Sequence, residues 1–386
     1  TGVQTCALPI LTTLNERQRA YLRTIQSSSA TLMQLISDVL DVSKIEAGQM
    51  ALTLAAFNPL DLVREVLGNF AASAMAKDLQ FYACIDTEVP AQLIGDVTRI
   101  RQVLNNLVNN ALKFTDIGRV VLRVKLLSRN DGRALLQWQV ADTGIGIAHE
   151  QQERLFEAFY QVSGAHHAGG TGLGLSICWH LAEMMGGHLR MVSETGLGSS
   201  FSLVLELPED EQSGLACRPG LLKSACVHVR SPVRELADSV GAWLKAWGCK
   251  VSSGEAAPSE LETCVLLELL PMAAGPASSP WPGPRVRASM DAPCQPELRE
   301  DGWRVGLHNL AGIGQALAQA LGGDIPEQTP ANACARSGRL DLEVLVAEDN
   351  PVNQALLREQ LEELGCRVSL AGDGRQALQL FDSGRF

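Results

Sequence analysis

A glycine-rich stretch, GGTGLGLSI at Gly169–Ile177, is a segment of this sequence whose residue types could do chemistry. Four glycines fall within six residues, and an apolar, helix-like run follows at once. A backbone without Cβ atoms can approach an anion and offer its N–H groups, and the positive end of a following helix strengthens the attraction. The stretch lacks the lysine of a mononucleotide P-loop and the glycine spacing of a dinucleotide fold. It indicates either another kind of phosphate site or a glycine-rich turn that binds nothing.

A second group of polar residues lies upstream on a predicted helix, DVTRIRQVLNNLVNNALKF, which Asp96 opens. Asn106, Asn110 and Lys113 are spaced by four and three residues, so the pattern places them on one helix face. The rest of this helix is largely Val, Leu and Ala. The stripe is therefore either a solvated face or a set of ligands.

A carboxylate closes a predicted strand in the segment VADTGIGIA. Asp142 stands at the strand end, directly before Gly144 and Gly146. A carboxylate in this position can accept a hydrogen bond from an exocyclic amino group, and glycines let a flat base come close. The segment therefore predicts a base-recognition site.

The elements that must position these residues form an α+β layer. FNPLDLVREVLGNF is predicted as an amphipathic helix, while LQFYACID, RVVLRVKLL, LLQWQVAD and SSFSLVLELP are predicted as strands. Before them, an apolar seam at alternating spacings of three and four predicts one helix of a bundle that ends near Gly48. The seam consists of Leu22, Ile25, Ser29, Leu32, Ile36 and Val39.

Composition bounds the class of protein. With 386 residues, 46% hydrophobic and 19% charged, the chain is long enough for two to four globular domains. The net charge of −11 argues against nonspecific nucleic-acid binding. Ten cysteines without a C-x-x-C pair are typical of reduced cytosolic thiols. No apolar run reaches the length of a membrane span.

An internal repeat occupies the second half of the chain. VHVRSPVRELADSVGAWLKAWGCKVS, from Val227, aligns without gaps on VLVAEDNPVNQALLREQLEELGCRVS, from Val344. Both copies predict a strand, a helix, a Gly-Cys turn and a strand, which is how a doubly wound α/β domain begins. The second copy has Glu348 and Asp349 after its first strand, so only that copy is equipped for a cation.

Five segments occur in a recognisable order: Asn106–Thr115, DTGIGI, LFEAFYQ, GGTGLGL and GLGSSF. Together they resemble the boxes of the GHKL ATPase superfamily, specifically its histidine kinase branch. Upstream, LDVSKIEAG resembles the end of the second helix of the kinase dimerisation domain. Downstream, VAEDNPVNQ resembles the first strand and acidic pair of a response-regulator receiver. The chain is thus similar to a hybrid sensor histidine kinase, closely over about residues 14–208 and loosely beyond them.

The resemblance implies ATP and Mg²⁺ as cofactors. Asn110 would help to hold Mg²⁺, Asn106 and Lys113 would reach the phosphates, and Asp142 would take the adenine amino group. Glu348 and Asp349 would be the metal-binding acidic pair of the receiver. A mobile lid, with Phe156 and Phe159 as its apolar packing, would close over the nucleotide. The remaining nucleotide-binding residues would be Gly144, Gly146, Gly170, Thr171, Gly172, Gly174 and Leu175.

Two departures from the family pattern stand out. The lid segment VSGAHHA has no arginine, and His166 and His167 either replace it in part or are exposed loop residues. The phosphorylatable histidine of the family belongs to the first dimerisation helix. None of the seven histidines here lies in a helical His-Glu or His-Asp context with a following proline. We therefore expect that the acceptor histidine is absent, that no catalytic residue is present, and that the chain binds ATP without histidine phosphorylation.

Two other functions compete with the kinase. A hydrolysing ATPase of the same superfamily carries a glutamate four residues before the magnesium-binding asparagine to activate water, but Asn106 stands there. A noncatalytic signalling scaffold would bind nucleotide and partners without phosphotransfer. Separate measurements of nucleotide affinity and phosphotransfer discriminate it from a kinase.

The predicted architecture is multidomain: a helical-hairpin remnant, an α+β two-layer ATP-binding sandwich of Bergerat type, and doubly wound α/β receiver-like domains. Expected partners are ATP, a second copy in the complete protein, and a response regulator or phosphotransfer domain, with no nucleic acid and no membrane contact in this fragment. We expect a cytoplasmic fragment of a protein anchored in the inner membrane. The domains are an unmatched leader or artefact at 1–10, the second dimerisation helix at 11–50, the ATP-binding domain at 51–210, a linker and degenerate receiver at 211–338, and a truncated receiver at 339–386.

Overall fold

The computed structural model describes residues 15–161, 172–210, 222–254, 264–272, 281–322 and 342–382. The chain forms two compact units, one from residues 1–37 and 327–386 and the other from residues 38–326. The second unit holds every candidate nucleotide-binding residue that the structure describes.

A single long helix, α1 (Glu16–Glu46), covers the region of the predicted seam. The seam residues Ile25, Leu32 and Val39 are between 47% and 58% exposed, although they are apolar. At the end of the helix, Val42 and Ile45 pack against the core of the second unit. The predicted helix is confirmed, and its apolar face is largely exposed.

A two-layer α/β sandwich follows. Its main sheet has five strands in the order β2-β4-β5-β7-β6, and two short strands, β1 and β3, pair separately in an antiparallel manner. The elements are β1 (Ala55–Phe57), α2 (Pro59–Ala76), β2 (Gln80–Ile85), β3 (Leu93–Gly95), α3 (Val97–Phe114), β4 (Arg119–Asn130), β5 (Arg133–Asp142), α4 (His149–Gln152), α5 (Gly174–Met184), β6 (His188–Glu194) and β7 (Gly198–Pro208).

The packing of the sandwich follows from the alternation of apolar residues along its strands and their helical spacing along α3. In the central strand β5, apolar residues such as Trp138 and Val140 are fully buried, whereas Gln139 between them donates to Ser200 on β7 at 2.7 Å. One face of the sheet is therefore apolar and the other is polar. Helix α3 presents a matching apolar stripe at helical spacing. Its buried residues are Ile100, Val103, Leu104, Leu107, Val108, Ala111 and Leu112.

A second sheet belongs to the receiver-like region, and its strand order is β12-β13-β11-β10-β8-β9. All neighbouring strands are parallel except β12, which pairs with β13 in an antiparallel manner. Without β12, the order matches the flavodoxin-like doubly wound fold. The elements are β8 (Cys226–Arg230), α6 (Arg234–Ala246), β9 (Lys250–Ser253), β10 (Cys264–Leu270), β11 (Arg285–Ser289), β12 (Glu297–Arg299), β13 (Gly302–Gly306) and α7 (Leu310–Ala320).

Helices α6 and α7 cover the same face of this sheet. A Cβ atom added to Gly241 of α6 would lie 3.6 Å from Val251, and one added to Gly312 of α7 would lie 3.0 Å from Val305. The strand register places both valines on one face. The alternation in CVHVR and RVRAS already indicates that the two faces of these strands differ in polarity.

The opposite face carries buried charges. Glu268 on β10 is almost fully buried and accepts a hydrogen bond from Arg287 Nε at 2.9 Å. Arg287 also donates to Asp301 at 2.8 Å. The buried carboxylate of Glu268 therefore has a cationic partner.

The same face contains a disulfide, whereas the sequence led us to expect that all the cysteines are reduced thiols. Cys226 and Cys264 occupy paired positions on the neighbouring strands β8 and β10, and their Sγ atoms are bonded. Because the two cysteines are 38 residues apart, their pairing depends on the sheet register and not on any local sequence motif. Other cysteines in the described residues, such as Cys84 and Cys249, form no disulfide.

The receiver-like region closes the open edge of the first sheet. Helix α6 packs against the edge strand β2, and Trp243 Nε1 donates to the Ile85 carbonyl at 2.8 Å. The Phe81 amide on β2 donates to the Pro271 carbonyl at 3.2 Å. These contacts use backbone groups of a strand edge that would otherwise be available to another chain.

The second copy of the repeat is also confirmed as a strand, a helix and a strand. It comprises β14 (Glu343–Ala347), α8 (Pro351–Glu363) and β15 (Arg367–Ala371), followed by α9 (Gly374–Phe381). The two strands pair in parallel. Several apolar side chains remain more than half exposed here, namely Leu342, Leu364, Leu378 and Phe381.

Candidate nucleotide-binding site

Helix α3 carries the polar stripe and is held at its first turn. Its N-cap residue Asp96 accepts hydrogen bonds from the Arg99 amide at 3.0 Å and from the Thr53 amide at 2.9 Å. A capping carboxylate satisfies an amide of the first turn that has no intrahelical partner. Gln102, one turn further on, donates to Asp41 of α1 at 2.8 Å. The orientation of α3 is therefore fixed by its neighbours before the stripe begins.

The stripe lies beside the start of the glycine-rich helix. Asn106, Asn110 and Lys113 are half-buried on α3, outside its fully apolar face. A Cβ atom added to Gly174, the first residue of α5, would lie 3.7 to 3.8 Å from the side-chain atoms of Asn106. The structure thus brings the asparagine stripe next to the glycine-rich stretch, although Asn106 and Gly174 are 68 residues apart in the sequence.

The N-terminus of α5 has the properties of an anion site. Its N-cap residue, Leu173, makes no side-chain capping hydrogen bond. The first amides of a helix have no intrahelical acceptor, and the helix dipole favours a negative group there. An anion next to Asn106 would therefore meet backbone N–H donors as well as the asparagine amide.

Asp142 is positioned by backbone amides at the end of β5. Its Oδ1 atom accepts hydrogen bonds from the Gly144 amide at 2.8 Å and from the Ser199 amide at 3.2 Å. Burial raises the pKa of the Asp142 carboxyl, and the hydrogen bonds from Gly144 and Ser199 oppose that shift. Because both amides contact Oδ1, Oδ2 can accept a hydrogen bond from a ligand amino group.

The glycines after Asp142 are required by the protein itself. A Cβ atom on Gly144 would lie 2.3 Å from the Phe114 carbonyl oxygen, and one on Gly146 would lie 2.0 Å from the Glu194 carbonyl oxygen. Gly146 also has a φ of +68°, which side chains disfavour. The expected approach of a base is one reason for glycine at these two positions. The structure adds a second reason, since backbone contacts within the chain exclude a Cβ atom at both positions.

The lid region is described only in part, because Gly170, Thr171, His166 and His167 lie outside the described residues. Gly172 has a φ of +72°, and its carbonyl accepts a hydrogen bond from the Phe159 amide at 3.0 Å.

The predicted apolar packing of the lid holds for one phenylalanine only. Phe156 stacks at a tilt on Trp179, with 4.8 Å between ring centroids. Leu175, at the start of α5, also packs against the core. Phe159 is 70% exposed, so the expectation that it packs is wrong. Its positive φ of 64° turns the chain at this point.

Sequence reasoning missed two residues that shape this site, Ser199 and Lys77. Ser199 follows Gly198 within the GLGSSF motif, so its position inside a recognised box was the available signal. Lys77 lies in none of the motifs. Its Nζ atom donates to the Leu112 carbonyl at 2.7 Å and to the Lys113 carbonyl at 3.2 Å, in the last turn of α3.

The predicted acidic pair lies at the end of β14. Glu348 accepts hydrogen bonds from Asn353 Nδ2 at 3.0 Å and from the Asn350 amide at 3.2 Å, and these bonds lower its pKa. Asp349 and Asp373 line a shallow pocket with Glu348, and Asp373 follows the neighbouring strand β15. Within the described ranges, no three His, Cys, Asp or Glu side chains are grouped closely enough to hold a metal ion.

The corresponding position in the first copy has no carboxylate. The Ser231 hydroxyl accepts a hydrogen bond from the Val233 amide at 3.1 Å and closes a turn that contains Pro232. The two copies of the repeat therefore share a fold and differ in the groups at the end of the first strand.

The sandwich, the asparagine stripe and the half-buried carboxylate of Asp142 define an ATP-binding domain of the GHKL class. Residues 95–209 match the family model "Histidine kinase-, DNA gyrase B-, and HSP90-like ATPase", and residues 5–48 match "His Kinase A (phospho-acceptor) domain". These two matched domains are the two conserved domains of histidine kinases, and the chain is similar to hybrid sensor histidine kinases. The second match begins within the segment 1–10 that the sequence analysis set apart.

Individual relatives agree with this family. Sensor histidine kinase RcsC of Escherichia coli (strain K12) is 33% identical over 371 residues, which is 92% of this chain and 37% of RcsC. Sensor protein GacS of Pseudomonas syringae pv. syringae is 40% identical over 227 residues, 58% of this chain and 25% of GacS. The crystal structure of full-length ShkA in complex with AMPPNP has a TM-score of 0.62 and 27% identity, and the likeness covers 98% of this chain and 80% of ShkA.

The chain thus spans about a third of RcsC and a quarter of GacS. In the described part of the chain, no helix combines the length and the apolar character that crossing a membrane requires.

Proposed function

We propose that this chain is the ATP-binding kinase part of a two-component phosphorelay protein. The γ-phosphoryl group of ATP passes to a histidine that is not among the seven of this chain, and then to a receiver aspartate. The observation that supports this most directly is the convergence of Asn106 with the N-terminus of α5, on the same domain as the amide-held carboxylate of Asp142.

Each end of the nucleotide has its own residues. Asp142 accepts a hydrogen bond from the adenine amino group, and burial makes that bond stronger than the same bond in water. Asn106, Lys113 and the amides of α5 bind the phosphates. Their separation on two elements explains why the motifs stand far apart in the sequence.

Magnesium fits the donor set on α3. Asn110 is half-buried and lies one turn from Asn106, and its amide group supplies an oxygen donor. Magnesium prefers a few protein oxygens together with water and phosphate oxygens, and when bound it neutralises phosphate charge. Asn110 holds the ion, and Lys113 holds the phosphates on the next turn. The lid residues Gly170, Thr171, Gly172 and Gly174 exclude water when the site closes.

The two receiver-like regions divide their roles. Residues 339–386 belong to a receiver whose Glu348 and Asp349 bind Mg²⁺. Residues 211–338 form a receiver-like domain that takes no phosphoryl group, because Ser231 and Pro232 replace the acidic pair.

Partners follow from the same assignment. In the complete protein, the exposed apolar face of α1, in residues 11–50, pairs with a second copy. A response regulator or phosphotransfer domain takes the phosphoryl group. The complete protein is anchored in the inner membrane, with this portion in the cytoplasm.

Calorimetry with AMP-PNP, with and without MgCl₂, tests the binding step. We expect saturable binding that Mg²⁺ strengthens, and no binding at all would contradict the proposal. Phosphotransfer is measured separately, by adding a dimerisation domain that carries the acceptor histidine. Nucleotide binding without any label on that added domain would instead favour the noncatalytic scaffold.

A further inference from the structure

Lys77, which follows the last residue of helix α2, reaches the end of helix α3. Its Nζ atom lies 2.7 Å from the Leu112 carbonyl oxygen, 3.2 Å from that of Lys113 and 3.3 Å from that of Thr115. An ammonium group has three N–H donors, so one side chain can serve three carbonyls. The contact joins residues 35 to 38 positions apart and belongs to none of the recognised motifs.

The carbonyls that Lys77 contacts are the ones a helix leaves without partners. The last four carbonyls of an α-helix have no intrahelical donor, and a cation near them also interacts favourably with the helix dipole. The remaining carbonyl nearby, that of Phe114, accepts a hydrogen bond from the Ile145 amide at 3.3 Å. The last turn of α3 is therefore held from two sides, by Lys77 and by the loop that follows Asp142.

The base of Lys77 is itself held in place. Its amide donates to the Ala74 carbonyl at 3.2 Å, and the Leu79 amide donates to the same carbonyl at 3.1 Å. Ala74 and Leu79 are both 1% exposed. The lysine is thus a link between a fixed helix end and the last turn of α3, although its own side chain runs near the surface.

We propose that Lys77 is a positioning residue for the phosphate half of the nucleotide site. It acts by holding the turn of α3 that carries Lys113, one turn after Asn110. This inference rests on the proposed function, in which those two residues serve the phosphates and Mg²⁺. Asp142, at the end of β5, serves the base, and its carboxylate is held by the Gly144 and Ser199 amides and not by Lys77.

AMP-PNP uses both the phosphate half and the base half of the site, whereas adenosine uses only the base half. A general loss of stability would weaken the binding of both ligands, so comparing them distinguishes a positioning role from a structural one. The affinities of the full chain for AMP-PNP with Mg²⁺ and for adenosine are compared in the unchanged protein, Lys77→Met and Lys77→Arg. We expect Lys77→Met to weaken AMP-PNP binding about fivefold to tenfold and adenosine binding less than about twofold, which is the size of one charge-assisted contact. Lys77→Arg keeps a cation with several donors, so we expect it to retain most of the AMP-PNP affinity.

Lys125→Met is the matched control, because it removes an exposed lysine from strand β4 of the same domain. An equal loss for both ligands in Lys77→Met, or no loss for either, would overturn the inference. The inference would also be overturned if Lys125→Met weakened AMP-PNP binding as much as Lys77→Met does. A failure of the unchanged protein to bind AMP-PNP would instead refute the proposed function, so the two failures are distinguishable. If Lys77→Met does not fold, Lys77→Arg must still bind AMP-PNP at near-native affinity for the inference to stand.

Discussion

Arg123 on β4 and Glu235 on α6 form a two-point ion pair that joins the ATP-binding sandwich to the receiver-like domain. Arg123 Nη2 donates to Glu235 Oε2 at 2.9 Å, and Arg123 Nε donates to Oε1. The Tyr82 hydroxyl, on the edge strand β2, donates to Oε2 at 3.5 Å. Burial, with the Glu235 carboxylate nearby, raises the pKa of Tyr82 to about 12. The ion pair therefore lies in a partly desolvated junction between two domains.

The strength of this pair can be measured with a double-mutant cycle on Arg123→Gln and Glu235→Gln. The Glu235 side chain is 37% exposed, so solvent screens the pair, and we expect a coupling free energy of about 0.5–1 kcal/mol in urea unfolding. Arg129 and Glu209 form an ion pair within the sandwich and provide the comparison cycle. A coupling of zero at the junction would show that the ion pair does not help to hold the two domains together.

The junction also predicts a pH dependence. The hydrogen bonds from Arg123 lower the pKa of Glu235 below its ordinary value of 4.5. A carboxyl group with a depressed folded-state pKa stabilises the fold above its unfolded pKa, and that contribution is lost as the pH falls through the folded pKa. Between pH 7 and pH 3.5, the urea midpoint of the unchanged protein should thus fall further than that of Glu235→Gln. Parallel curves for the two proteins would contradict the prediction.

The adenine assignment is tested by Asp142→Asn. An asparagine oxygen can still accept the Gly144 and Ser199 amides, whereas its NH₂ group cannot accept from an amino group. We expect the fold to be retained and AMP-PNP affinity to fall by about 1–3 kcal/mol, as measured by calorimetry. Asp131→Asn, in the exposed turn between β4 and β5, is the control. Unchanged affinity in Asp142→Asn would remove Asp142 from the site.

Histidine labelling tests the proposed phosphotransfer. Helix α1 contains no histidine, although residues 5–48 match a phospho-acceptor domain. Phosphoryl transfer depends on a positioned nucleophile, so γ-labelled ATP should leave this chain without an acid-labile, base-resistant label. An added dimerisation domain with its histidine should become labelled in trans. Such a label on this chain alone would show that one of its seven histidines is an acceptor.

Hydrogen exchange tests the stability of the second receiver-like region. Among the residues of 342–382 whose burial the structure describes, only Cys366 and Ala371 are both apolar and buried, and parallel strands need covered faces. We therefore expect the amides of β14 and β15 to exchange much faster than those of β4 and β5. Equal protection in the two sheets would show that the region is stable in this chain.

The order of the elements and the class of the site could be predicted from the sequence because both depend on short-range patterns. Spacings of three and four place Asn106, Asn110 and Lys113 on one helix face whatever that helix packs against. Alternation along a strand assigns its buried face in the same way, as in β5. The gapless repeat from Val227 and Val344 likewise predicted two copies of one supersecondary unit, and the structure has both.

Only the tertiary structure decided which distant groups meet. The hydrogen bond of Lys77 to Leu112 spans 35 residues, that of Asp142 to Ser199 spans 57, and that of Arg123 to Glu235 spans 112. Sequence periods reach one or two turns or a few strand positions, so they carry no information about such pairs. These pairs depend on how the helices and sheets pack against one another. Close packing of side chains sets the distances between elements, and a hydrogen bond forms only when its donor and acceptor are about 3 Å apart.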